Sequence, residues 1–228
     1  MIVIRSARIR HMLGTALPFA IMPALVLLLP VGVQAEYYAL VSFLMVVLAL
    51  LLFLSGFERR ELGTRRMILV SVMTALSVIG RLLPLIKPIT ALTVLSALYL
   101  GKEAGFLVGA MSAVLSNFIM GQGPWTPFQM LAWGMIGLFA GIAAAPLKQH
   151  RALLYLYGIL SGAGYSMLLD VWTTVWTYKE FTLHEYAAAM MTALPYTVLY
   201  AVSNLLFLMI FTKPIGEKLA RIQKKYGL

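Results

Sequence analysis

The stretch GQGPWTPFQM, residues 121–130, puts two Gly, two Pro, one Trp and two Gln between long apolar runs. Asn117 lies one turn before it, and Gln129 and Trp133 share a helix face four residues apart. Amides inside hydrocarbon need partners or a cavity, because an unpaired polar group there is costly. Gln122, Gln129 and Asn117 are therefore candidates for hydrogen bonding a polar solute, with Trp125 and Trp133 offering ring faces. A plain interfacial turn with an aromatic anchor would explain Trp125 alone, since Trp is common at that depth. It would not explain three amides converging there. Gly121 and Gly123 allow backbone shapes closed to other residues, and Pro127 suits the first turn of the next helix.

A second group lies in SMLLDVWTTVWTY. Asp170 is an acid in an apolar run, and such a charge costs about 2.5–3.5 kcal/mol on insertion scales. The expected counter-charge is Arg81 or Lys87. The pair either locks two helices or forms a polar wall of a binding cavity. Tyr165, Trp172 and Trp176 belong to the same half of that run, and Trp172 and Trp176 share a face. In the last apolar run Tyr196, Tyr200 and Asn204 step by four and predict a polar stripe facing the interior. Of these, Tyr196 and Tyr200 are at the depth expected for ligand contact.

These residues must be held by membrane helices. Of the 228 residues, 61% are hydrophobic and 11% charged, more apolar side chain than a soluble domain of this length can bury. Apolar runs occupy 12–34, 38–57, 67–86, 88–101, 104–120, 127–146, 152–176 and 187–212. The run 88–101 is short enough for a re-entrant or buried helix. Basic residues at both ends put both termini in the cytoplasm, which demands an even number of crossings, and counting 88–101 gives eight. That topology leaves only Arg81, Lys87 and Lys179 among the cations on the outer side, together with Glu36, Asp170, Glu180 and Glu185. It places GQGPWTPFQM at the outer face. The formal charge of +10 lies in short links between the runs, so it argues for membrane topology and against nucleic acid.

The basic link 58–66 divides the chain. Residues 1–63 form a two-helix hairpin and link, and residues 64–228 a six-helix body. The hairpin carries no polar residue of note and reads as a lipid-facing or partner-facing accessory. Its first apolar run reads as a retained helix and not a removed signal peptide. Gly101, Gly105, Gly109 and Ala113 step by four, and Gly134, Gly137 and Gly141 follow in the next run, a pattern for close helix packing. Ser71 and Ala75 form a further small-residue pair that could pack within the bundle or against another subunit. There are no Cys and three scattered His, so a metal site is not expected. No GxxxxGK[ST], HExxH or GxSxG motif occurs, so neither ATP hydrolysis nor a recognisable catalytic site is expected in this chain.

The segments TALSVIGRLLP (74–84) and ALYLGKEAGFLVGAMSAVLSNFIMGQGPWTPFQMLAWGMIGLFAG (97–141) resemble the substrate-binding S component of an energy-coupling factor (ECF) vitamin transporter. The resemblance covers about 64–228 and implies a six-helix S-component bundle in a bacterial plasma membrane. It implies capture of a small vitamin from outside, a transmembrane coupling protein and two cytoplasmic ATPases as partners, and no cofactor in the chain itself, ATP being used by those partners. It assigns the coupling-protein contact to Ser71 and Ala75. The GQGPWTP turn resembles S components assigned to cobalamin or its precursors. The competing expectations are a stand-alone secondary transporter of a small organic solute and an intramembrane enzyme.

Overall fold

A computed structural model describes residues 6–28, 37–55, 63–83, 87–178 and 181–226. Among these it is all-helical. Glu36, Lys179, Glu180 and most of the 58–66 link lie outside the described residues.

The chain opens with α1 (Ala7–Ala16), a π-helical turn (Leu17–Ile21) and α2 (Met22–Leu28). Pro18 lies at the start of that turn, where its missing N–H and its ring force the ladder to widen. Then come α3 (Tyr37–Ser55), α4 (Gly63–Arg81), α5 (Ile89–Leu100), α6 (Lys102–Met120), α7 (Trp125–Ile142), the short α8 (Ala144–Gln149), α9 (Arg151–Tyr178) and α10 (Leu183–Tyr226). The described parts of the apolar runs are largely helical, while residues 29–34, 56–57 and 84–86 of those runs lie outside the described residues. Among the described residues four segments are long and apolar enough to cross a membrane: Arg8–Val26, Lys102–Met120, Arg151–Tyr178 and Leu183–Lys225.

Two helices depart from the expected lengths. The 12 residues of α5 rise only about 18 Å at ~1.5 Å each, short of a ~30 Å hydrocarbon core. All but one of them are buried, so α5 is a central peg packed by α4, α6, α7 and α10. By contrast α10 continues through the basic tail to 44 residues, about 66 Å, with Pro195 and Pro214 inside it. It therefore extends well beyond the apolar stretch that ends near residue 212.

Two glycines set the reversals around α6. Gly101, at φ 96°, turns α5 directly into α6, and Gly121, at φ 107°, ends α6 with its N–H on the Asn117 carbonyl. Both angles are in the left-handed region that costs other residues strain. Gly123 does not use that freedom. It makes room for the Trp125 ring, onto which a Cβ would fall.

The glycine ridges do what their spacing implies. A Cβ on Gly109 would strike the Trp133 carbonyl, and one on Gly137 would strike the backbone of Gly105. The α6 and α7 backbones therefore touch, and α7 is fixed against α6 along its length. The α9–α10 pair repeats the device at Gly162, which faces the backbone of Tyr200 and Ala201. The hairpin is not detached: α3 packs on α6 and α1, and Met45, Ala49 and Leu52 are fully buried.

Candidate functional site

The site grows from the end of α4. Arg81 is the last residue of that helix, and its guanidinium turns into the bundle, leaving 7% of the residue exposed. It donates to Asn117 Oδ1 at 2.8 Å, Gln129 Oε1 at 3.2 Å and the Ala113 carbonyl at 3.4 Å, and closely to Ser116 Oγ. Its remaining face lies 4.8 Å over the Trp133 ring. A desolvated cation over indole gains about 2 kcal/mol, and hydrogen bonds to a charged group about 1.5–3 kcal/mol. Together these offset the cost of holding an arginine at this depth.

Asn117 and Gln129 are placed by the α6–α7 contact. Asn117 Nδ2 donates to Gln129 Oε1 and to Thr126 Oγ1, each at 2.8 Å, and Thr126 Oγ1 donates to Gln122 Oε1 at 2.9 Å. Gln122 closes the chain by donating to the Val114 carbonyl at 3.0 Å. The GQGPWTP turn is thus stitched to the last two turns of α6 by side-chain amides. Chains of this kind hold one arrangement when every member is satisfied.

Aromatic rings form the other wall. Trp133 is fully buried, donates Nε1–H to Thr90 Oγ1 at 3.1 Å, and stacks on Tyr165 at 4.3 Å between centroids. Tyr165 meets Tyr200 edge-on at 5.0 Å. Nearer the turn, Trp125 and Phe128 both meet the Trp172 ring edge-on, and Trp172 stacks on Trp176. The rings thus form two groups, one of α7 and α9 beside the turn and one of α7, α9 and α10 beside Arg81.

Buried polar atoms without a hydrogen-bond partner include Asp170 Oδ2, Tyr165 Oη and Asn204 Oδ1. Tyr165 Oη lies beside Gln129 and Tyr200. Asn204 Nδ2 is committed to the Gly158 carbonyl at 3.1 Å.

Two expectations need correction. Arg81 and Asp170 do not form an ion pair, and neither does Lys87 with Asp170. The main neighbours of α4 are α5 and α6, whereas α9 packs on α10 and α7, so the two helices are not adjacent. Neutral oxygens take the place of the carboxylate. Lys87 turns back onto its own loop, donating to the Arg81 and Leu83 carbonyls, while its backbone N–H donates to Ser203 Oγ at 2.7 Å. Burial, then the nearby Arg81 charge, lowers its pKa. The second correction concerns the stripe on α10. Tyr200 and Asn204 do face the interior, but Tyr196 is 66% exposed and lies apart from the cluster. A step of four overshoots one turn by about 40°, so two steps carry a residue off the shared face.

Ser116, Thr126 and Thr90 belong to the cluster and were missed from sequence. Helical Ser and Thr usually bond their own preceding turn, so their presence says little; Ser116 does both. Ser71 and Ala75 are exposed on the other side of α4, where they line a 230 Å³ cavity between α3, α4 and α6. A larger cavity of 560 Å³ lies between α3, α6 and the turn, with Gln122 and Trp176 at its edge. No group of three metal-binding side chains occurs among the described residues.

Comparison with protein families gives a match over most of the chain. The family model for the ECF-type riboflavin transporter, S component, covers residues 61–221. The chain belongs to this family. No curated protein and no solved structure matches it. The matched span of this S component contains every residue of the Arg81 cluster and the aromatic wall, and it begins at residue 61, beyond α3. The family is one of membrane transport subunits that bind substrate. With its apolar helices this S component is a multi-pass membrane protein.

Proposed function

We propose that this chain captures a flat, hydrogen-bonding heterocyclic vitamin from outside a bacterial cell and passes it inward with a transmembrane coupling protein and two ATPases. The family match across 61–221 carries this reading. Riboflavin, the vitamin in the family's name, is the first choice. Its ring system presents an imide N–H between two carbonyls, beside a broad apolar face. Asp170 Oδ2 and Tyr165 Oη are open, buried hydrogen-bonding atoms, and the Trp125–Trp172–Trp176 rings supply faces of matching chemistry. Gln122 and Gln129 can exchange an internal hydrogen bond for one to the solute. Arg81 acts as the positioning residue that holds Asn117 and Gln129.

Cobalamin or a cobalamin precursor is the second reading, favoured by the resemblance of the GQGPWTP turn. The exposed pair Ser71 and Ala75, beside exposed Ile68, Val72 and Ile79, supports a coupling-protein face on α4.

The test is a titration of the purified chain with riboflavin and, separately, with cobalamin, following flavin fluorescence or tryptophan quenching. Saturation by riboflavin at one per chain supports the first reading. Saturation by cobalamin alone moves the cargo to the second. Binding of neither at micromolar concentration removes both. Uptake that persists with the ATPases inactivated would remove the coupling claim and favour a stand-alone transporter.

A further inference from the structure

At the opposite end of the bundle from the GQGPWTP turn, four helices enclose a pocket of about 170 Å³. Its floor is apolar, made by the buried Leu98, Leu147 and Leu154. Its rim carries Lys148 from α8, Arg151 from α9 and Lys213 from α10, with Thr212, Tyr99 and a single acid, Glu217. None of the three cations forms an ion pair with any described carboxylate, although like charges brought together repel and usually recruit an acid. Lys148 Nζ rests 4.8 Å over the Tyr99 ring instead. Arg151 is also the first residue of the 28-residue α9, so the positive end of that helix faces the same place.

The depth of the pocket fits a membrane boundary. Thr212 and Lys213 stand where the apolar stretch of α10 gives way to its basic extension, and Lys148 and Arg151 flank the break between α8 and α9. The same end of the molecule carries the Arg66–Glu103 contact at 3.9 Å and Lys102. Partial burial lowers the pKa of Lys148, a cost that an anion in the pocket would relieve.

We propose that this pocket binds the phosphate headgroup of an anionic phospholipid, with the three cations on the phosphate and the leucine floor under the glycerol carbons. Cationic pockets between membrane helices are suited to such headgroups, whereas a free phosphate would have no use for the floor. The site is independent of the vitamin and of the residues around Arg81. It would tie α5, α8, α9 and α10 to the lipid surface at the end of the molecule remote from the vitamin.

The experiment uses the full chain in nanodiscs of phosphatidylcholine alone or phosphatidylcholine with phosphatidylglycerol, read by native mass spectrometry and thermal unfolding. The expected result is one retained phosphatidylglycerol per chain and a higher unfolding midpoint in its presence. Lys148→Gln, Arg151→Gln and Lys213→Gln should each weaken retention about fivefold, the change expected for ~1 kcal/mol per cation. Lys148→Arg, which keeps the charge, should retain the lipid. Lys218→Gln makes the same change of charge away from the pocket and should have no effect. Unfolding midpoints in pure phosphatidylcholine should match wild type for all variants, showing that they fold. Equal loss in Lys218→Gln would overturn the site in favour of diffuse attraction. An equal rise in midpoint from inorganic phosphate in phosphatidylcholine nanodiscs would overturn the lipid assignment, and no preference for phosphatidylglycerol would overturn the proposal altogether.

Discussion

The two ends of this bundle handle positive charge in opposite ways. At the GQGPWTP end a single arginine, Arg81, is buried and bonded to four neutral oxygens and one indole face. At the other end Lys148, Arg151 and Lys213 are exposed around a small cavity and pair with no described carboxylate. Burial forces the difference. A cation removed from water must have its donors satisfied inside the protein, so Arg81 organises whatever surrounds it. A cation at the lipid boundary can leave that task to headgroups and water. One end is therefore a preorganised interior and the other a surface ready for an outside anion.

The sharpest way to break this contrast is to remove one cation from each end. Arg81→Met should lower stability by about 3 kcal/mol or more, because Asn117, Gln129 and Ser116 lose a charged partner while still buried. Lys148→Gln should change it by less than about 0.5 kcal/mol in a zwitterionic membrane. Similar shifts in the two thermal melts would mean that Arg81 is not the organiser described here.

Next in size is the close contact that delivers Gln129 and Trp133 to Arg81. Gly109→Ala places a methyl against the Trp133 carbonyl and should cost about 1–3 kcal/mol, the usual range for overpacking. Vitamin binding should weaken along with the melt, since α7 carries both residues. Unchanged binding in a destabilised variant would separate the packing from the site.

Smaller changes then sort the faces. Gln129→Ala and Trp125→Ala should weaken vitamin binding about tenfold, roughly one lost hydrogen bond or ring contact, and leave assembly with a coupling protein intact. Conversely, Ala75→Leu fills the exposed side of α4 and should impair co-purification of that partner while preserving binding. The reverse pattern would exchange the two faces of α4.

Sequence patterns disclosed some of this more readily than the rest. The helical segments were legible because apolar runs are interrupted where charge collects, and the α6–α7 contact was legible because glycine at every fourth residue has few other uses. The convergence of Asn117, Gln122 and Gln129 followed from a four-residue turn between two helices. The partner of Arg81 was not legible. Opposite charges suggest a pair, but pairing depends on which helices are neighbours, and α4 and α9 are not. Tyr196 was misplaced for a different reason: it stands eight residues, two steps of four, from Asn204, and the helix drifts by about 80° over that span. Thr126 and Ser116 carry no signal that distinguishes a network hydroxyl from one bonded to its own helix. The headgroup pocket draws residues from α5, α8, α9 and α10, far apart in sequence, and only their folded positions bring them together.

The measurement that bears most directly on the account is a riboflavin titration of three purified chains: wild type, Gln129→Ala and Ala75→Leu. Saturation at one riboflavin per chain is expected in wild type and Ala75→Leu, and about tenfold weaker binding in Gln129→Ala. Failure of wild type to bind riboflavin, or equal binding by Gln129→Ala, would contradict the assignment of the Arg81 cluster and its aromatic wall as the riboflavin site.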